Sequence, residues 1–186
     1  MKVRLSEELQ VDSIVDGEGI RTVIWFQGCS HNCKGCHNPA THSFKAGYLF
    51  DVEEIKKQIL ELQGQDGVTL SGGDPLFQIP ASLEIAKFCK QNGLSVWCYT
   101  GFTFEELIAM SKKDKSILEL LENIDILVDG RYIEEQKDLN LKFRGSKNQR
   151  IINVKQSLKK NKTVKKADKK EKFFKQNYGK LSYIYI

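Results

Sequence analysis

The sequence predicts an α/β fold with a mainly parallel sheet and right-handed crossovers. Three observations predict it. Short β-branched and aromatic runs alternate with amphipathic helical stretches. The 186 residues suit one domain, with no internal repeat. The residues of unusual chemistry all stand directly after strands, where α/β folds collect their ligands.

The first strand is "RTVIWFQG" (21–28), whose alternation and β-branched and aromatic content fit a pleated, half-buried segment. "DVEEIKKQILEL" (51–62) places apolar residues at 52, 55, 59 and 62, one helical stripe, with Asp51 and Glu54 spaced as a capping box. "GVTLS" (67–71) reads as a short buried strand. "SLEIAKFCKQN" (82–92) reads as a helix with Ser82 as its N-cap and Gly93 as its stop. "LSVWCY" (94–99) is the next strand. Thr103 and Glu106 form a second capping box at the head of a helix over 103–111, and another helix covers about 115–122. "IDILVD" (124–129) and "RIINV" (150–154) are the last strands, separated by a polar segment, 131–149, expected to be a long functional loop.

The functional signal lies in the residues just past each strand. After the first strand comes Cys29-x-x-x-Cys33-x-x-Cys36; after the second, Ser71-Gly72-Gly73-Asp74. After the third comes Thr100-Gly101, and after the fourth Asp129-Gly130. In a parallel sheet these share one rim.

Composition narrows the classes. No apolar run is long enough to cross a membrane and the first ten residues are charged, so a cytoplasmic protein is expected. The net charge of +5 is uneven: residues 159–186 hold ten lysines against Asp168 and Glu171, while the rest holds 19 basic and 22 acidic residues. That basic end reads as a solvated face or as a docking arm for an acidic partner. Its aromatic close, with Phe173, Phe174 and Tyr183, needs a covering surface.

Three of the five cysteines fall between 29 and 36, and in a reducing compartment this points to metal or redox chemistry rather than disulfides. A closed zinc site needs four ligands, and His31 or His37 would supply the fourth. Against zinc, all ligands would come from one short loop, whereas zinc sites commonly pair two separated knuckles. An iron–sulfur cubane held by three thiolates keeps one iron open for a ligand. Cys89 and Cys98, on a helix stripe and inside a strand, read as small core residues.

The Cys29–Cys33–Cys36 spacing after the first strand resembles the signature of the radical S-adenosylmethionine superfamily, and "SGGDP" (71–75) resembles its Gly-Gly-Glu motif. "VDGEGIRTVIWFQGCSHNCKGCHNPATH" (15–42) is similar to the opening of the activating enzymes of glycyl-radical proteins. "FRGSKNQRIINVKQSL" (143–158) resembles the branch that acts on anaerobic ribonucleoside-triphosphate reductase. The likeness covers roughly residues 10–158. It implies a domain over 1–158 folded as an incomplete (β/α) barrel, followed by a basic C-terminal extension over 159–186.

The resemblance also implies the chemistry. Cys29, Cys33 and Cys36 hold a 4Fe–4S cluster, and S-adenosyl-L-methionine chelates its open iron. Reductive cleavage of that cofactor yields a 5′-deoxyadenosyl radical, which takes an α-hydrogen from a glycine of the reductase large subunit. The electron comes from a flavodoxin or ferredoxin. Gly72 and Gly73 let backbone approach the cofactor, unless they make only a plain turn, and Asp74 pairs its ammonium. Thr100 is a further contact, and Asp129 meets the ribose or a monovalent cation. The segment "DGEGIR" (16–21) flanks the site. Two departures stand out. Gly35 occupies a position that is often aromatic and holds adenine, which leaves His37 as the substitute, and Asp74 is one methylene shorter than the usual Glu. Alternative readings are an activase of another glycyl-radical enzyme such as pyruvate formate-lyase, a synthase acting on a small molecule, or a zinc-bearing module that grips nucleic acid.

Overall fold

The chain opens with two strands that the alternation did not reveal, β1 (Lys2–Leu5) and β2 (Gln10–Ser13), before β3 (Arg21–Phe26). Each is only four residues long: β1 alternates for just two periods, and β2 is mostly polar. β4 (Tyr48–Asp51) is as short, its three apolar residues do not alternate, and it runs directly into α1 (Val52–Glu61). Next along the chain are β5 (Gly67–Gly72), α2 (Ile79–Gln91), β6 (Ser95–Tyr99), α3 (Phe104–Ser111), α4 (Lys115–Glu122), β7 (Ile126–Asp129), β8 (Arg150–Asn153) and α5 (Val154–Lys160). This architecture comes from a computed structural model and describes residues 1–166. The aromatic-rich end of the basic extension lies outside the described residues. No helix among the described residues is long and apolar enough to cross a membrane.

The strand order is β4-β1-β3-β5-β6-β7-β8, with β2 also paired to β3. The central four strands, β3, β5, β6 and β7, are parallel, and every outer pairing is antiparallel. The parallel centre is buried on both faces, so its strands read as near-continuous apolar runs. The helices share one face: Ile55 of α1, Ile85 of α2, Leu107 of α3, Leu120 of α4 and Val154 of α5 join Ile24, Leu70, Val96 and Leu127 of the sheet in one core cluster. Each such side chain contributes roughly 1.5–3 kcal/mol on burial. The opposite face carries Trp97, Ile126 and Val128, covered by Tyr99, Ile151 and Phe143 from the 131–149 segment.

Local details refine the expected elements. Thr103 and Glu106 form the full capping box. Asp51 caps α1 through the Glu53 N–H, without the reciprocal Glu54 contact. Helix α2 begins one turn before Ser82, because Pro80 seeds its first turn; the Ser82 hydroxyl instead donates to Pro75 O at 2.7 Å. The division expected between residues 158 and 159 falls inside α5, and the chain stays on the domain beyond it. Asn153 N–H donates to Val164 O at 2.9 Å, Lys166 N–H donates to Ile151 O at 2.8 Å, and Lys166 pairs with Glu18.

Arg21 departs from the expectation that the 16–21 segment flanks the rim. It opens β3, opposite Gly67 at the start of β5, so it lies at the sheet edge away from the cysteines. Its guanidinium is fully buried, donates to Thr69 Oγ1 at 2.7 Å and Val68 O at 2.6 Å, and lies 5.5 Å from the Trp97 ring centre. Burial lowers its pKa to about 10.

Candidate cluster and cofactor site

The register of the parallel strands brings the four motifs to one edge. Phe26 is opposite Gly72, Cys98 is opposite both Leu70 and Leu127, and Tyr99 is opposite Val128. The segments after β3, β5, β6 and β7 therefore leave the sheet side by side.

The β3 and β5 ends stay zipped beyond the strands. Gly73 N–H donates to Phe26 O at 2.7 Å, and Asp74 N–H donates to Gly28 O at 3.0 Å. A Cβ on Gly72 would stand 2.5 Å from Phe26 O, and one on Gly73 would stand 2.5 Å from Gly28 O; Gly72 also has φ +96°. The chain's own backbone thus requires this glycine pair, a reason the sequence could not show.

The cysteine loop starts from that zipped end. Gly28 N–H donates to Thr41 O at 2.8 Å and Cys29 N–H donates to His42 O at 3.1 Å, closing the base of the loop. The Gln27 side-chain amide holds the returning segment through Ala40 O and Ser43 O. Cys29, Cys33 and Cys36 are half-exposed free thiols, and burial raises the Cys29 thiol. Gly35 adopts φ +71° and lies against the Glu134 carboxyl group, so a side chain there is disfavoured. His37 is exposed. Cys89 and Cys98 are fully buried in the core, away from the loop.

The polar residues of the rim are engaged with one another. Asp74, 1 % exposed, accepts on Oδ2 from His31 Nε2 at 2.8 Å, Thr100 Oγ1 at 2.9 Å and Gly101 N–H at 3.0 Å, and on Oδ1 from Leu76 N–H at 2.9 Å. Within the protein Asp74 thus has four donors, three on Oδ2 and one on Oδ1. Thr100 is tied to the same carboxylate. Asp129, fully buried, accepts from Phe104 N–H at 2.7 Å and from Arg150 at 2.9 Å and 2.5 Å. Its partners within the protein are thus a backbone amide and a guanidinium.

A cavity of about 370 Å³ opens on this rim, lined by Gly101, Thr103, Glu106, Gly130, Arg131 and Asn148 together with the Asp129–Arg150 pair. Asn148 Oδ1 is buried without a hydrogen-bond partner. Sequence reasoning singles out neither Asn148 nor Arg150 nor the bonded role of His31. The signal for the first two is their place in "FRGSKNQR", a stretch that carries a likeness but no role for either side chain.

Arg150 also grips Glu105 with both terminal nitrogens, at 3.1 Å and 2.6 Å. That pairing holds the Glu105 carboxyl down at about 2. A depressed folded-state value stabilises the fold fully above the ordinary carboxylate value of about 4.3, and the contribution is lost as pH falls toward about 2. Glu105→Gln should therefore lower the urea midpoint slightly at pH 7, the side chain being largely exposed, and converge on wild type as pH falls toward about 2, so that its own midpoint changes less over that range.

The three thiols fit an iron–sulfur cluster as a donor set. All come from one loop, no fourth cysteine is near, and of the two histidines that a closed zinc shell would recruit, His31 is bound to Asp74 and His37 is exposed. Among the described residues no three His, Cys, Asp or Glu side chains are grouped to hold a single metal ion.

Comparison with known proteins points to iron–sulfur chemistry. Residues 15–152 match a family described as a 4Fe-4S single cluster domain. The chain is 38% identical over 149 residues to a Haemophilus influenzae protein named anaerobic ribonucleoside-triphosphate reductase-activating protein, covering 74% of this chain and 90% of that one. It is 33% identical over 144 residues to the protein of the same name from Escherichia coli K12, covering 73% and 90%. Among solved structures it is similar to QueE from Escherichia coli, at 17% identity and a TM-score of 0.41 over 55% of this chain and 54% of that one.

Proposed function

Because the chain belongs to the family of anaerobic ribonucleoside-triphosphate reductase-activating proteins, radical S-adenosylmethionine enzymes with a 4Fe–4S domain, we propose that it generates the glycyl radical of such a reductase. The observation that carries this reading is the loop of three half-exposed thiols at the carboxyl edge of a parallel sheet, beside a polar cavity.

In this reading Cys29, Cys33 and Cys36 would hold the cluster, and the residues around the cavity would hold S-adenosylmethionine. The bound pair supplies one-electron cleavage of a carbon–sulfur bond and, from it, hydrogen abstraction from a carbon that acids and bases do not activate. The chain's own residues bind and orient. The half-buried backbone at Gly72 and Gly73 presents an edge free of side chains. The unpartnered Asn148 Oδ1 is an acceptor for a ribose hydroxyl. His37, exposed one residue after Cys36, would stack on adenine. Thr100 and Asp129 act from beneath, through Asp74 and Arg150. The sheet curves as an incomplete (β/α) barrel, supported by five helices on one face and a separate aromatic cluster on the other. The partner is the reductase large subunit, and the reductant is a flavodoxin or ferredoxin.

The test is electron paramagnetic resonance on the anaerobically reconstituted, reduced chain mixed with S-adenosylmethionine and the reductase. The expected result is a glycyl signal on the reductase, with release of 5′-deoxyadenosine. A signal with pyruvate formate-lyase and none with the reductase moves the substrate within the family. A colourless protein carrying one zinc and cleaving no cofactor overturns the reading.

A further inference from the structure

The imidazole of His31 comes from the middle of the cysteine loop and is inserted into a socket built by two other strand ends. Its side chain is 5 % exposed, although the loop around it is open. From the β5 end, Asp74 Oδ2 meets Nε2 at 2.8 Å, and Phe77 tilts against the ring at 5.5 Å between centres. From the β6 end, Phe102 meets the ring edge-on at 4.6 Å. Gly101 completes the socket: a Cβ there would stand 2.3 Å from His31 Cδ2. The floor is rigid, because Thr100 Oγ1, Gly101 N–H and Leu76 N–H hold the carboxylate from three further directions.

The rest of the loop has little to hold it. Its base is closed at Gly28 and Cys29, and its far side makes the local turn from Cys36 N–H to Cys33 O and the exposed Lys34–Glu134 pair. The buried connection from the span between Cys29 and Cys33 to the sheet is the imidazole.

We infer that His31 is the pin of the cysteine loop and that Asp74 is a positioning residue, which sets the three thiols at the spacing of a cluster by holding that pin. The inference rests on the reading that Cys29, Cys33 and Cys36 hold the cluster. It gives the carboxylate of the Gly-Gly-Asp motif a task inside the protein. Residues that orient ligands from behind commonly change metal affinity ten- to a hundredfold when removed.

The experiment uses the full chain, reconstituted with ferrous iron and sulfide without oxygen. The forms compared are wild type, His31→Ala, His31→Gln, Asp74→Asn, Gly101→Ala and the His31→Ala/Asp74→Asn double variant. Three quantities are read: iron per chain, the rate of cluster loss to a chelator, and the resonance spectrum of the reduced cluster before any cofactor is added. Gly101→Ala evicts the ring by sterics alone and leaves both partners chemically intact. The expected result is about tenfold faster cluster loss and an altered spectrum in His31→Ala and Gly101→Ala. His31→Gln, which keeps a donor, should restore part of the loss. The double variant should be no worse than His31→Ala, as for two residues acting through one contact. If the His31, Gly101 and Asp74 variants keep wild-type iron, retention and spectrum, the inference is overturned. A wild-type chain that takes up no cluster sinks the ligand reading itself, which is a separate outcome.

Discussion

Cys33→Ala should give a folded chain that retains fewer than one iron, where the wild type retains about four, and that releases no 5′-deoxyadenosine under reducing conditions. The same result is expected at Cys29 and Cys36, because a cluster with only two protein thiolates loses the chelate that keeps it in an exposed loop. The thiols stand outside the core, so little stability goes with them. The controls run the other way. Cys89 and Cys98 are fully buried, and burial pushes the Cys89 thiol up to about 12 and the Cys98 thiol well above its ordinary value. They remain neutral thiols and poor ligands. Cys89→Ala and Cys98→Ala should keep full iron and lower the melting temperature slightly. Iron analysis beside thermal melting of all five variants checks both halves. A Cys33→Ala protein with a full cluster would end the ligand assignment.

Arg150→Met should be the most destabilising single change on the rim outside the core. It leaves the Asp129 carboxylate, wholly buried, with only the Phe104 N–H as donor. Breaking one side of a buried ion pair costs about 3–5 kcal/mol, which for a domain of this size is a fall in melting temperature of roughly 10 °C. The loss should extend to the head of α3, since Asp129 and Glu105 both bind it to β8. The sequence-level expectation for Asp129, a ribose or cation contact, makes the opposite forecast: Asp129→Asn would weaken S-adenosylmethionine binding and leave the melt unchanged. Calorimetry and a cofactor titration on Asp129→Asn and Arg150→Met separate the two.

Much of the candidate site was legible because its parts are local. Cys29, Cys33 and Cys36 are so close in the chain that their spacing alone states that one loop carries them. The strands of the parallel centre were legible because burial on both faces leaves almost nothing polar within them. The outer strands β1, β2 and β4 were not, since four residues are too few to establish a period. The helix α5 was missed for a similar reason: seven residues following a strand carry too little pattern to be separated from it.

The sequence by itself determined the cysteine triad, the order of strand and helix through the central sheet, and the gathering of unusual residues after each strand. These arise from covalent spacing and from the periods of helix and strand. Only the tertiary structure decided who faces whom. Asp74 meets a histidine 43 positions away, Asp129 an arginine 21 positions away, and Arg21 a threonine 48 positions away. The glycine pair is demanded by a neighbouring strand rather than by a ligand alone. Such partnerships depend on sheet register, which a hydrophobic pattern constrains to a face but does not assign to a particular polar side chain. A buried carboxylate takes whatever donor that register delivers, and here the register delivered His31 and Arg150.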